Sequence, residues 1–206
     1  MKYIFVAGTP GSKWSSVVKN IYYSPDVDRS DYSDERTYYH DASGELQLMH
    51  LGAYYDPGME FGDWFDRLDQ HTPAECEAEF DRPFSGTGVR IVKSHVFAHN
   101  IDFLKRHWPE SPIVLVVRDN DACLGWWVRC GHFDITYPLY HDYYHNLREM
   151  AGHIDRQNRD IAAAWNRYYG PTPRDNYALA DACRIRPAGS EYYQNYAESN
   201  VRIKVI

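Results

Sequence analysis

Short uninterrupted apolar runs alternate along the chain with stretches in which apolar residues recur every three to four positions. Residues 3–7 (Tyr-Ile-Phe-Val-Ala) read as a buried strand that breaks at Gly8-Thr9-Pro10-Gly11-Ser12, after which Lys13 to Ile21 suits a helix. Val89-Arg90-Ile91-Val92-Lys93 predicts a second strand, followed by a helix over 99–107 that buries Ile101 and Leu104. Pro109 and Pro112 bracket a turn. The run Ile113-Val114-Leu115-Val116-Val117 is the strongest strand, because five consecutive β-prone apolar residues suit an interior parallel strand covered on both faces. Helices follow from Asp121 to Cys130 and from about His141 to Tyr169. The longer one carries Leu147, Met150, Ile154, Ile161 and Trp165 on one face and is stopped by Gly170-Pro171. Val201 to Val205 alternates as a strand does.

The segment from Tyr22 to about Phe84 is acidic, aromatic and broken by Pro25, Pro57, Pro73 and Pro83. Its pattern yields only a strand at 46–51 and a short helix near 60–69. The 18 tyrosines, many as Tyr-Tyr pairs, fall at irregular intervals and make no repeat. Strands alternating with helices predict an α/β protein, a three-layer α/β/α arrangement with a short, mostly parallel central sheet and a P-loop-like phosphate-binding turn. At 206 residues one domain, 1–206, is expected.

Composition narrows the classes. With 44% hydrophobic and 16% aromatic residues the chain has material for a core, which excludes disorder. No apolar run approaches the roughly 20 residues of a membrane span, and the N-terminal strand lacks a signal-peptide cleavage site. A cytoplasmic protein with no membrane partner is the expectation. Cys76, Cys123, Cys130 and Cys183 show no metal-ligand spacing, so neither a disulfide framework nor a metal is expected. The net charge of −7 argues against a nucleic-acid partner, so any anionic ligand must be held by a local basic cluster.

In open α/β sheets ligands bind at the carboxyl ends of strands, and three such ends carry polar residues. The first, Thr9-Pro10-Gly11-Ser12-Lys13-Trp14-Ser15, follows a strand and opens a helix, so that backbone N–H groups can converge on a phosphate. It does not fit the nucleotide-triphosphatase loop, because Ser12 precedes Lys13 and Trp14 follows it, displacing the magnesium-binding hydroxyl. The second, Lys93-Ser94-His95, sends a lysine and a histidine off the same face, an ammonium to stabilise oxyanion charge and an imidazole to act as base. The third, Arg118-Asp119-Asn120-Asp121, offers a guanidinium for a phosphate.

In this order, the three elements resemble the sulfotransferase family that uses 3′-phosphoadenosine-5′-phosphosulfate, whose P-K-S-G-T-T-W, K-T-H and R-[ND]-P-x-D…S motifs they echo from residue 3 to about 130. The resemblance implies a sulfonyl transfer to a small-molecule or carbohydrate acceptor without a metal. His95 would be the base, with Lys93 and Lys13 the cations near the sulfonyl and bridging oxygens. The amides of Gly11 to Ser15 and the Ser15 hydroxyl would cradle the 5′-phosphate, and Arg118 would bind the 3′-phosphate. Trp14 stacks on the adenine or anchors its helix. Aromatics between Tyr22 and Trp64, including Tyr54, Tyr55 and Phe61, either wall the acceptor or cover a small core.

The chain departs from the family at several positions. Thr9 stands where the loop lysine is, so Lys13 would supply that charge from a shifted position. Asn120 replaces the proline, and Gly125 falls where the phosphate-binding serine would be, which leaves Arg129 as a candidate partner for Arg118. The family's R-K-G-x-x-G loop is echoed only by Arg184-Ile185-Arg186-Pro187-Ala188-Gly189. Two other readings stand beside this one: a P-loop small-molecule kinase using ATP and magnesium, and a nucleotide-binding module without catalysis.

Overall fold

The computed structural model describes residues 1–31, 37–39, 47–49, 51–55, 65–129, 146–193 and 195–206. The chain opens with β1 (Tyr3–Gly8) and α1 (Trp14–Tyr22), then β2 (Thr37–Tyr39), β3 (Gln47–Met49) and β4 (Ala53–Tyr54). A 3₁₀ segment at Phe65–Gln70 leads into α2 (Pro73–Asp81) and β5 (Arg90–Ser94). Next come a 3₁₀ turn at Val96–His99, α3 (Ile101–His107), β6 (Ile113–Val117) and α4 (Asn120–Arg129). Finally α5 (Leu147–Arg167), α6 (Asn176–Ala182), 3₁₀ turns at Ser190–Tyr192 and Tyr196–Ser199, and β7 (Arg202–Val205) complete it.

The main sheet has the order β4-β5-β1-β6-β7, with β4, β5, β1 and β6 parallel and β7 antiparallel to β6. The architecture is therefore α/β with a mostly parallel mixed sheet. Successive residues of β1 face opposite sides, as strand geometry requires. Tyr3, Phe5 and Ala7 pack with Phe80, Phe97, Trp108, Ile161 and Ala164, whereas Ile4 and Val6 pack with Val17, Ile21, Leu179 and Ile203. Helices α2, α3 and α5 thus cover one face and α1 and α6 the other. Phe5 lies at the centre of the first face, edge-on to Phe80 at 5.3 Å and to Phe97 and Trp108 at 5.7 Å.

Several expectations shift. The strand expected at 46–51 is β3, which pairs antiparallel with β2 in a separate ribbon, and the short β4 joins the main sheet instead. Part of the helix expected near 60–69 lies outside the described residues, and 65–70 is 3₁₀ with a kink at Arg67. Helix α2 was signalled by Thr72-Pro73-Ala74-Glu75, which forms a capping box with proline at the first helical position. The long helix starts at Leu147, where the Asn146 side chain accepts from the N–H groups of Arg148 and Glu149; positions 141–145, and Cys130 of the preceding helix, lie outside the described residues. Helix α6, capped by Asp175, has too short a pattern to stand out. Among the described residues no helix is long and apolar enough to cross a membrane.

Candidate active site at three strand ends

After β1 the chain builds the β4–β5 side of the sheet, then crosses to build β6 and β7. The carboxyl end of β1 is therefore the point where the winding direction reverses, the place at which open α/β sheets leave a crevice. Register aligns the three ends: Ala7 lies opposite Ser94 and Gly8 opposite Val116. The loop 9–13, His95 and Arg118 consequently leave neighbouring strands at one level.

His95 is 5% exposed. Its ring stacks on Trp14 at 4.0 Å and meets Tyr54 edge-on at 5.7 Å. Nδ1 lies 2.5 Å from the Gly8 carbonyl. A carbonyl only accepts, so Nδ1 carries the proton, and in the neutral ring Nε2 keeps the lone pair. Burial pushes the imidazole down to about 3; the Gly8 carbonyl opposes this and the Lys93 charge adds to it. The ring is thus neutral at physiological pH and fixed in one tautomer.

Lys93 is fully buried, with Nζ 5.5 Å from the Trp14 ring and 5.6 Å from that of Tyr54. The same two rings hold both His95 and Lys93, so Trp14 anchors α1 to the histidine. Tyr55 turns to the opposite face of the sheet, where its hydroxyl donates to the Glu79 carbonyl at 2.5 Å. Only Tyr54 of the expected acceptor wall therefore reaches His95 among the described residues; Phe61 and Trp64 lie outside them.

The loop is compact. Ser12 N–H donates to the Thr9 carbonyl at 3.0 Å, so that amide closes a turn and is not available to a phosphate. Gly11 has φ +75, and a Cβ there would sit 1.9 Å from the Cys123 carbonyl oxygen, so the loop lies directly on α4. Thr9 Oγ1 is 3.3 Å from Cys123 Sγ on the same contact. Ser12 Oγ is buried without a hydrogen-bond partner among the described residues. Lys13 takes a left-handed conformation, φ 61, before α1, and α1 has no side-chain cap. Its Nζ donates to Ser199 Oγ at 2.8 Å and lies 4.2 Å from the Trp126 ring.

Comparison with protein-family models, curated proteins and solved structures returned no match.

Arg118 donates from Nη1 to the Gly11 carbonyl at 3.0 Å and from Nε to the Ser199 carbonyl at 3.1 Å. Its own carbonyl accepts from Asn158 Nδ2 at 2.9 Å. The expected partner Arg129 lies instead 5.6 Å from the Trp126 ring. Arg186, in the C-terminal echo, binds Asp26 through Nε and Nη2, so it is tied down away from the loop. Two groups of predicted residues result: His95 and Lys93 with Trp14 on the β5 side, and Lys13 and Arg118 with the loop on the β6 side. Ser199, which joins the second group, follows Arg118 by 81 positions and carries no local motif. Cys76, Cys123 and Cys183 are buried free thiols, and burial pushes Cys123 up to about 11, which leaves it an unreactive packing group.

Proposed function

We propose that the chain transfers a sulfonyl group from 3′-phosphoadenosine-5′-phosphosulfate to the hydroxyl or amine of a small-molecule or carbohydrate acceptor, with His95 as general base. The observation that carries this reading is the Nδ1–Gly8 bond. It leaves the lone pair on Nε2, in a ring at the same strand end as the loop that carries Lys13 and binds Arg118. The donor set suits a phosphorylated ligand: Lys13, the Arg118 guanidinium and the orphaned buried Ser12 hydroxyl belong to one loop cluster.

The phosphosulfate supplies the sulfonyl group, whose bond to the bridging phosphate oxygen breaks as the acceptor oxygen or nitrogen bonds to sulfur, releasing the bisphosphate. His95 Nε2 takes the acceptor's proton, and the strand-end geometry holds that nitrogen in place before the acceptor arrives. The Lys93 ammonium stabilises oxyanion charge in surroundings of low dielectric, where a cation acts more strongly than in water. Lys13 and Arg118 hold phosphate oxygens at the far side of the loop. Thr9, Pro10 and Gly11 shape the turn, and the amides of Trp14 and Ser15 open α1 toward it.

Incubation with labelled phosphosulfate and a panel of hydroxyl acceptors tests the reading. His95→Gln is expected to lower turnover by ~10²–10⁴ while adenosine 3′,5′-bisphosphate still binds. Label transfer at the wild-type rate by the variant would remove His95 as the base. The turn that consumes the Ser12 amide, together with the near-complete burial of His95, favours a second reading, a nucleotide-binding module without chemistry. Thermal stabilisation by the bisphosphate with no label transfer to any acceptor would select it. Stabilisation by ATP with magnesium alone would select the kinase.

A further inference from the structure

Strand β7 forms one edge of the main sheet, and part of its outer side has no protein partner among the described residues. Ile113 and Ile206 exchange both backbone hydrogen bonds. The antiparallel register alternates from there, so Lys204 and Arg202 bond to β6 while Val205 and Ile203 turn their N–H and C=O outward. On that outer side Val205 N–H donates to the Pro171 carbonyl at 3.0 Å. The segment cannot continue the ladder, because Pro173, two residues on, has no N–H to donate. Its carbonyl accepts instead from the Tyr196 hydroxyl at 3.2 Å. Among the described residues both backbone groups of Ile203 are therefore unpaired. Ile203 lines a cleft of about 790 Å³ together with Trp165, Pro173, Tyr196 and two exposed arginines, Arg174 and Arg202. Asp119 also lines it, but neither guanidinium forms an ion pair with a described carboxylate.

We infer that this cleft is a docking site for an extended acidic segment of another protein, which adds a strand to the open edge of β7. One residue of an extended chain offers an N–H and a C=O on the same side, the complement of what Ile203 presents. A residue paired in this way places its side chain on the face of Ile203 and Tyr196, which is apolar, and its two neighbours on the face of Arg202. The sequence that fits is therefore acidic, apolar, acidic. Charge argues against a second copy of this chain as the occupant, because β7 laid against β7 would bring the arginines of the two copies together. The cleft lies beyond β6, on the other side of β1 from the strand that carries Lys93 and leads to His95. The inference thus stands apart from the reading of the loop as a nucleotide site.

Calorimetric titration of the full chain with a capped hexapeptide of alternating glutamate and valine tests the assignment. The fully N-methylated form of this peptide, which cannot donate to the Ile203 carbonyl, is expected to bind about tenfold more weakly or less, and so is the counterpart with lysine in place of glutamate. In the double variant Arg174→Glu, Arg202→Glu, changed at two exposed positions, the preference between the glutamate and lysine peptides should invert. Hydrogen exchange at the Ile203 amide should slow when the glutamate peptide is bound. Equal affinity for the plain and N-methylated peptides, or unchanged exchange at Ile203 on binding, would overturn strand addition. Equal affinity for the two charges would overturn the acidic partner. Free glutamate that displaces the peptide at matching concentration would make the cleft a small-carboxylate site and sink the inference, as would wild-type protein that binds none of the peptides.

Discussion

His95 shows how one residue's surroundings set its chemistry. Its ring is enclosed by Trp14 and Tyr54 and its Nδ1 proton is held by Gly8, so the cost of charging it falls on the folded state alone. In the unfolded chain a histidine titrates near 6.5, whereas here it is pushed down to about 3. The folded pKa lies below the unfolded one, so the unfolded chain binds the proton first as pH falls. The stabilisation is complete above pH 6.5 and is lost progressively toward pH 3, at roughly 1.4 kcal/mol per pH unit. Urea midpoints of wild type should therefore drop more steeply between pH 6 and pH 4 than those of His95→Gln; parallel slopes would show that the ring is not held neutral. The sequence announces His95 and Arg118 because each stands at the end of an apolar run. It does not announce Ser199, because a hydrogen bond across 81 positions leaves no trace in local pattern.

At the scale of elements, the loop between β1 and α1 is set by its contact with α4. Gly11 at φ +75 brings the backbone against the Cys123 carbonyl, a conformation and a clearance that only glycine combines. Gly11→Ala should cost at least about 2 kcal/mol in chemical denaturation and weaken bisphosphate binding. A variant of wild-type stability would mean that α4 gives way. Where elements carried strong local signals they were legible: β1, β5 and β6 stand close to their expected bounds, and the expected stripe of α5 buries Met150, Ile154 and Ile161, while Leu147 at its start is exposed. Those set by long-range pairing were not. The two-residue strand β4 exists because β5 offers it an edge, and β3 left the main sheet for β2. The capping box of α2 was present in Thr72 and Glu75 but lay inside a segment whose prolines masked it.

Across the whole molecule, the two faces of the sheet divide the work. One face is packed by interlocking aromatics, in which Phe80 meets Tyr3 at 5.6 Å, Phe5 at 5.3 Å and Trp108 at 5.4 Å. Phe80→Ala should cost roughly 3–5 kcal/mol, seen as a lower unfolding midpoint, while bisphosphate affinity below that midpoint is unchanged. A parallel loss of affinity would show that this face supports the strand ends directly. The α/β class and the position of the three strand ends followed from the alternation of apolar runs and helices. The separation of the cations into two groups did not, since it depends on which rings and carbonyls each side chain meets.

Strand β7 and the turn before it are made long after the segments they complete. A nascent chain that has already exposed the loop, His95 and Arg118 still has β6 with one bare edge and Arg118 without its Ser199 contact. During folding the full set of contacts around Arg118 should therefore form in one step, when β7 pairs with β6, rather than accumulate as the loop, His95 and Arg118 become ordered.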